Sequence, residues 1–400
     1  MGKNIRIVFF LLLVSLSMYT VRIAGPISVA DCGGLLFVIY SLLKFKKVVL
    51  SDFNMTFFLW VFVSFISSMS LMFEDYFTLT GFFGTSVRIL VSVLLILCIP
   101  LWLKTKSQKL SVTLSLLAVV IFHSLIQLAF FVLYYLNKAP FLNLIPHGDQ
   151  SNRQHWLNVY DYTFYTRFGG IFEEPSWYSW FMVACLGLII SFEIQNKVTL
   201  INKKKWLIIL SALFLTYSIA GITSVCILIG YKALHKSSAA KLKVLLISSI
   251  TIPSVILMNP DSALLSRVTG ILTGNDGSSN TRIFDSFNKL ILVISNNTSG
   301  TGVGNSLEGV IYYDFANTFS IPSTQNGFVE AFVSTGLIGG AIFMIPFIYF
   351  TMVKKYRLSF ITMALVFFTT NALFIIVMWF FISLSYYLFK NPEKQIVTIN

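Results

Sequence analysis

Charged residues are scarce in this chain of 400 residues. They make up 11% of the sequence, whereas soluble domains carry about 25%, and hydrophobic residues make up 56%. The mean hydropathy is +0.80. This composition excludes a soluble globular domain and predicts an all-α polytopic membrane protein.

Common catalytic and metal-binding motifs are also missing. The sequence contains no GxSxG elbow, no P-loop and no HExxH motif. The cysteines form no CxxC pair and lie inside apolar runs, at Cys32, Cys98, Cys185 and Cys226. The histidines have no metal-ligand spacing, at His123, His147, His155 and His235. We therefore expect no disulfide, no metal site and no cofactor.

Acidic residues are fewer than basic ones, 16 against 29, which gives a net charge of +13. Such a charge on a soluble face would indicate nucleic-acid binding. Here the basic residues lie mostly in short loops between apolar runs, so the expected partner is anionic membrane lipid and not nucleic acid.

A membrane-spanning helix needs roughly 20 mostly apolar residues, and the chain offers about twelve candidate spans. They lie at about 7–23, 26–43, 55–72, 82–103, 110–136, 175–194, 205–220, 221–234, 242–258, 326–350, 358–372 and 373–389. The first run resembles a signal peptide but lacks a convincing cleavage site, so we expect a retained helix. Eleven spans result if 358–389 is one long helix.

Lysine and arginine clusters fall in alternate loops, which assigns those loops and both termini to the cytoplasm. The clusters 354–357 and 390–394 then share one side, which favours two helices within 358–389. We expect one integral membrane domain over 1–400 with two large outer loops, 137–174 and 259–325. Within the second loop, apolar residues at helical spacing over Thr281–Ile294 predict an amphipathic helix at the membrane interface.

The segment Arg167–Ser179 concentrates polar residues at the start of a span. Its two glycines permit a left-handed backbone, and Pro175 suits the first turn of a helix. Glu173 and Glu174 would then lie at the positive N-terminal end of that helix. They are candidates to accept a hydroxyl proton or to pair with Arg167. The alternative is a structural cap with Trp177 and Tyr178 in an interfacial belt.

Arginines on the outer side oppose the positive-inside bias and indicate a bound anion. Arg282 opens the predicted amphipathic helix, from which it could grip a phosphate, and Arg267 lies upstream in the same loop; solvated loop arginines are the alternative. Arg88 lies within an apolar run, where it either faces a partner such as Asp31 or extends towards the surface. Gly300–Gly304 has no βαβ context and predicts a tight turn.

Three segments of the sequence resemble the Wzy-type O-antigen polymerases and the related O-antigen ligases. The first is Arg167-Phe-Gly-Gly-Ile-Phe-Glu-Glu-Pro-Ser176. The second is Asp276-Gly-Ser-Ser-Asn-Thr-Arg282, followed by an apolar helix and the glycine turn Gly300–Gly304. The third is Thr324-Gln-Asn-Gly-Phe-Val-Glu330, followed by Gly336-Leu-Ile-Gly-Gly340. The resemblance covers roughly residues 160–345.

What the resemblance implies is a GT-C-like membrane enzyme of the bacterial inner membrane. It would join undecaprenyl-diphosphate-linked oligosaccharides by glycosyl transfer on the periplasmic face, with a chain-length regulator as a further candidate partner. Arg282 and Arg167 would bind the diphosphate, with Arg267 and Arg88 as weaker candidates. Glu173, or Glu174 beside it, would act as the base. Arginine in place of a metal implies a metal-independent reaction.

The third segment departs from the ligases, which typically carry a histidine before the asparagine. Here Gln325 precedes Asn326, and both become candidate substrate-binding residues. This departure favours a polymerase over a ligase that transfers glycan to lipid A core. A lipid-linked oligosaccharide flippase or other transporter is the remaining alternative, although its charges should be spread through the spans.

Overall fold

The computed structural model describes residues 2–24, 27–136, 169–172, 174–216, 218–235, 281–319, 321–371 and 373–390. These residues are mostly helical. The helices are α1 (Gly2–Ser17), α2 (Val29–Phe45), α3 (Asp52–Ser70), α4 (Leu79–Cys98), α5 (Lys106–Tyr135), α6 (Pro175–Asn196), α7 (Lys203–Phe214), α8 (Ile219–Leu234), α9 (Ser286–Asn296), α10 (Ser306–Tyr313), α11 (Gly327–Met352), α12 (Arg357–Thr369) and α13 (Ile376–Tyr387).

Short irregular elements flank several of these helices. Strands β1 (Arg22–Ala24) and β2 (Ile27–Ser28) form a two-stranded sheet. A 3-10 turn over Ile99–Trp102 continues α4, and a π-helical turn over Thr281–Asp285 leads into α9.

Five helices in the described part of the chain are long and apolar enough to cross a membrane, as expected for an all-α membrane protein. They are α3, α4 with its 3-10 turn, α5, α6 and α11. Helices also occupy the other predicted spans, except 242–258, which lies outside the described residues. Three of them are apolar but shorter, namely α8, α12 and α13.

The chain divides into two compact units. The first contains α1, most of α5, and α6 to α8. Its central helix is α6, where Phe181, Leu186 and Ile190 are fully buried and few side chains reach the surface. A helix that is apolar on all sides is expected at the centre of a bundle.

The second unit contains α2 to α4 and α9 to α13. Its core is aromatic: the ring of Trp60 on α3 lies 5.4 Å from Phe343 on α11 and 5.0 Å from Trp379 on α13, measured between centroids. Tilted and edge-on rings at such distances contribute about 0.5–1.5 kcal/mol per pair beyond the area they bury. These contacts fix α3, α11 and α13 against one another.

Helices α12 and α13 form an antiparallel hairpin. The Ser359 hydroxyl donates to the Ser385 carbonyl at 3.1 Å, and the rings of Tyr356 and Tyr386 stack with centroids 5.2 Å apart. The start of α12 therefore lies beside the end of α13, and the chain turns between Thr369 and Ile376. The prediction of two helices within 358–389 is confirmed.

Helix α11 is broken at Gly336, which has φ of 73° and ψ of −176°. The rings of Phe328 and Phe347, on opposite sides of the break, have centroids 5.1 Å apart, whereas a continuous helix would separate them by roughly 28 Å. Residues 327–335 and 337–352 are therefore two antiparallel arms. The prediction of one straight span over 326–350 is wrong, because the left-handed backbone at Gly336 reverses the chain.

The predicted tight turn at Gly300–Gly304 is confirmed. Gly300, Gly302 and Gly304 all have left-handed φ angles, between 78° and 88°. The turn is tied to its surroundings, because Thr301 N donates to the Val333 carbonyl at 2.8 Å and Val303 N donates to the Ser68 hydroxyl at 2.8 Å. It therefore packs against both the break in α11 and the end of α3.

Candidate active site

The candidate residues from the sequence fall into two groups. Arg167, Glu173 and Arg267 lie outside the described residues. Glu174 belongs to the first unit. The second unit holds the remaining four candidates, Arg88, Arg282, Gln325 and Asn326.

Glu174 occupies the N-cap position of α6, and Pro175 is the first helical residue, as predicted. Its carbonyl accepts a hydrogen bond from Trp177 N at 3.1 Å, and its Oε2 atom accepts one from the Ser176 hydroxyl at 2.7 Å. Gly170 has the expected left-handed backbone, with φ of 59°. Tyr178 is fully buried, so its assignment to an interfacial belt is wrong.

Arg282 opens the segment that leads into α9, and the amphipathic helix predicted there is present. Its side chain crosses to the second helical hairpin, where Nη1 donates to the Thr369 carbonyl at 3.0 Å. Thr369 is the last residue of α12. The C-terminal end of a helix carries partial negative charge, which stabilises the guanidinium.

Asn326 reaches the same helix end from the opposite chain segment. Its Oδ1 atom caps α11 by accepting from Phe328 N at 3.0 Å and Val329 N at 3.2 Å, while its Nδ2 atom donates to the Phe368 carbonyl at 3.2 Å. Arg282 and Asn326 therefore bind neighbouring carbonyls at the end of α12.

Gln325 links the second and third of the three family-like segments directly. Its backbone N–H donates to the Ser286 hydroxyl at 3.2 Å, and Ser286 is the first residue of α9. Its side-chain amide donates to the Ser323 hydroxyl at 3.0 Å. The structure thus brings Arg282, Gln325 and Asn326 together, although they are distant in sequence.

Glu330 is a buried carboxylate that the sequence analysis did not select. It lies in the first turn of α11 and accepts hydrogen bonds from the Thr324 hydroxyl and from Nδ2 of Asn371 at 3.3 Å. Asn371 also donates to the Thr324 carbonyl at 2.9 Å. An acidic residue entering an apolar run was the signal that could have identified it.

Lys289 is the second residue that was missed. Although charged, it is fully buried on the inner side of α9. Its ammonium donates to the carbonyls of Ile321 and, at 3.1 Å, of Ser323, and lies 5.1 Å from the Phe319 ring centroid. Burial lowers the pKa of Lys289, and the negative charges of Asp285 and Asp314 oppose that shift. Lys289 thereby fixes the chain that enters the third segment.

Arg88 pairs with Asp31, as the sequence suggested. Its Nε atom lies 3.6 Å from Oδ2 of Asp31, and Asp31 also accepts from Ser28 in a capping box at the start of α2. Gly34, one turn further along α2, packs against Ile376 at the start of α13. The ion pair therefore lies towards the end of the bundle where the α12–α13 hairpin turns.

This constellation combines an arginine, two side-chain amides and a buried carboxylate around one helix end. A guanidinium can bind phosphate oxygens bidentately, amides can donate to hydroxyl or phosphate oxygens, and the carboxylate can hold the surrounding donors in place. Comparison with protein-family models and with curated proteins finds no match for this chain.

Proposed function

We propose that this protein is a surface-polysaccharide polymerase of the O-antigen type. It would have about twelve spans in a GT-C-like arrangement, with both termini in the cytoplasm of a bacterium and the site on the periplasmic side of the inner membrane. The observation that carries the proposal is the convergence of Arg282 with Gln325 and Asn326 at the end of α12. These residues belong to two of the three segments that resemble the family.

The proposed reaction transfers a growing glycan from one polyprenyl diphosphate to a lipid-linked repeat unit. The bond between the anomeric carbon and the diphosphate oxygen breaks, and its electron pair stays with the diphosphate. The acceptor hydroxyl oxygen forms the new bond to that carbon, and its proton passes to a carboxylate. Negative charge therefore grows on the phosphate oxygens while positive charge grows on the sugar.

Each candidate residue has a role in this scheme. Arg282 and Arg167 would stabilise the departing diphosphate, and loss of such a preorganised group typically costs about 3–4 kcal/mol of barrier. Gln325 and Asn326 would orient the substrate. Glu173 would accept the proton. A second set of residues would assist in binding, namely Arg88, Glu174 and Arg267.

An in vitro assay with the purified protein in liposomes tests the proposal. Synthetic undecaprenyl-diphosphate-linked repeat units are supplied in the presence of a chelator, and the length of the product is measured. We expect chain lengthening by the wild type and a loss of about 100-fold in the Arg282→Ala variant.

Arg357 provides a matched control for Arg282. It also donates to carbonyls at a helix end, of Thr351 at 3.1 Å and of Met352 at 3.0 Å, but at the opposite end of α12. Arg357→Ala should retain activity. No product from the wild type, or equal activity in both variants, would refute the proposal, and transfer to lipid A core would identify a ligase instead.

A further inference from the structure

Helix α3 provides a scale of depth for the second unit. It runs along the second arm of α11, with the rings of Phe53 and Phe350 5.6 Å apart and those of Trp60 and Phe343 5.4 Å apart. Near its end, the Ser67 hydroxyl donates to the Ser299 carbonyl at 2.5 Å. The end of α3 is therefore level with the break at Gly336, and its length matches the thickness of the membrane core.

The first arm of α11 begins well below that level. Gly336 reverses the chain, so residues 327–335 run back along the second arm for roughly 13 Å. Phe328 lies beside Phe347, with centroids 5.1 Å apart, and beside Phe343, with centroids 6.3 Å apart. The start of α11 is thus near the middle of α3.

Helix α9 follows the first arm of α11 along its length. Its first residue, Ser286, is bonded to Gln325 just before the arm begins. Further along, Val293 packs with Val329 and Val333. The Arg282 end of α9 is therefore the deep end, and Asn296 lies near the level of Gly336.

The outward face of α9 is apolar along this path. Phe284, Phe287 and Ile291 are 63%, 44% and 66% exposed and lie on one side of the helix. The charge distribution is opposite to that of a helix lying on a membrane surface, which carries lysine and arginine outward. Lys289, the one charged residue between Ser286 and Asn296, is turned into the protein.

We propose that α9 is a re-entrant helix and that Phe284, Phe287 and Ile291 contact the hydrocarbon chains of bilayer lipids. This differs from the interfacial position expected from the sequence, because the contacts with α11 place the helix below the end of α3. Arg282 is then reached from within the membrane, where a lipid-linked anion could approach it sideways. The inference does not rest on the proposed enzymatic function.

Depth measurement by spin labelling tests this inference in the full-length protein in liposomes. Ile291→Cys and Phe287→Cys carry a nitroxide after replacement of the accessible cysteines, Cys32 and Cys226. Labels on the exposed side of α3 calibrate depth, at Leu59, Phe62, Ile66 and Met69. Phe315, which is 84% exposed beyond α10, is the control site.

We expect collisions with oxygen to exceed those with a nickel chelate several-fold more at residues 287 and 291 than at 315. Residue 287 should match the labels at Leu59 and Phe62, and residue 291 the label at Ile66. Asn288→Cys, also exposed, leaves the apolar residues intact and should give the same result if the other variants do not fold. Nickel access equal to that at Phe315, or no access for either reagent because protein covers the face, would overturn the inference.

Discussion

Glu330 and Asn371 are joined by a hydrogen bond of 3.3 Å from the amide Nδ2 atom to the carboxylate. This bond connects the first turn of α11 with the bend between α12 and α13. Asn371 also donates to the hydroxyl of Thr324, at 3.0 Å, so the three side chains form a closed network. The network lies beside the carbonyls of Phe368 and Thr369 that Asn326 and Arg282 bind.

Replacing Asn371 with alanine should destabilise the protein by about 1–3 kcal/mol, because it leaves buried acceptors on Thr324 and Glu330 without their donor. The midpoint of thermal unfolding in detergent measures the effect. Asn296→Ala is the control, since that amide donates only to the local Leu292 carbonyl at 2.8 Å on an exposed part of α9. Equal midpoints for the two variants would contradict a structural role for the network.

A second prediction concerns Gly336, where the backbone has φ of 73°. A Cβ atom there would lie 2.5 Å from the Thr298 carbonyl oxygen. Gly336→Ala should therefore cost about 1–3 kcal/mol for the backbone conformation, with a further cost for the contact. Thermal unfolding and transfer activity should both decrease.

Gly84 offers the matched control for Gly336. It lies within α4 of the same unit, and a Cβ atom there would meet no other atom within 4 Å. Gly84→Ala should be neutral or stabilise the protein by about 0.5–1 kcal/mol, because alanine has the higher helix propensity. If Gly336→Ala behaves like Gly84→Ala, the chain does not reverse at Gly336.

Local sequence patterns predicted the features of this fold that depend on local composition. Apolar runs located the helices, and the lysines after residue 389 indicated a turn within 358–389, which the structure places between Thr369 and Ile376. Pro175 marked the start of α6 in the same way. In each case the cause lies within a few residues of the feature.

Contacts between distant segments produced what the sequence did not reveal. Gly336 lies in an apolar run that reads as one helix, and the turn that packs against it comes from residues 298–301. Lys289 appeared to be an outer-loop lysine, yet the carbonyls that bind it follow α10. Such partners become visible only when the chain is folded, because no local pattern encodes them.

Asp314 gives a prediction for the dependence of stability on pH. Its carboxylate accepts from Thr318 N at 3.0 Å, from the Thr318 hydroxyl at 2.7 Å and from Phe319 N at 3.0 Å. These hydrogen bonds, led by the one from the Thr318 backbone, lower the pKa of Asp314. Its contribution is therefore fully present above the unfolded pKa of about 3.9 and is lost as the pH falls through the lower folded value.

Acidification below about pH 4 should thus lower the unfolding midpoint of the wild type more than that of Asp314→Asn, which has no carboxylate to protonate. The variant should be less stable than the wild type at neutral pH, because an amide replaces an ionic acceptor, and the two curves should converge in acid. Asp75→Asn removes an exposed carboxylate and should follow the wild-type curve. Parallel curves for wild type and Asp314→Asn would show that the Asp314 hydrogen bonds do not favour the ionised form. Since this loop also supplies the Phe319 ring beside Lys289, a loss of Asp314 should loosen the segment that leads into Gln325 and Asn326.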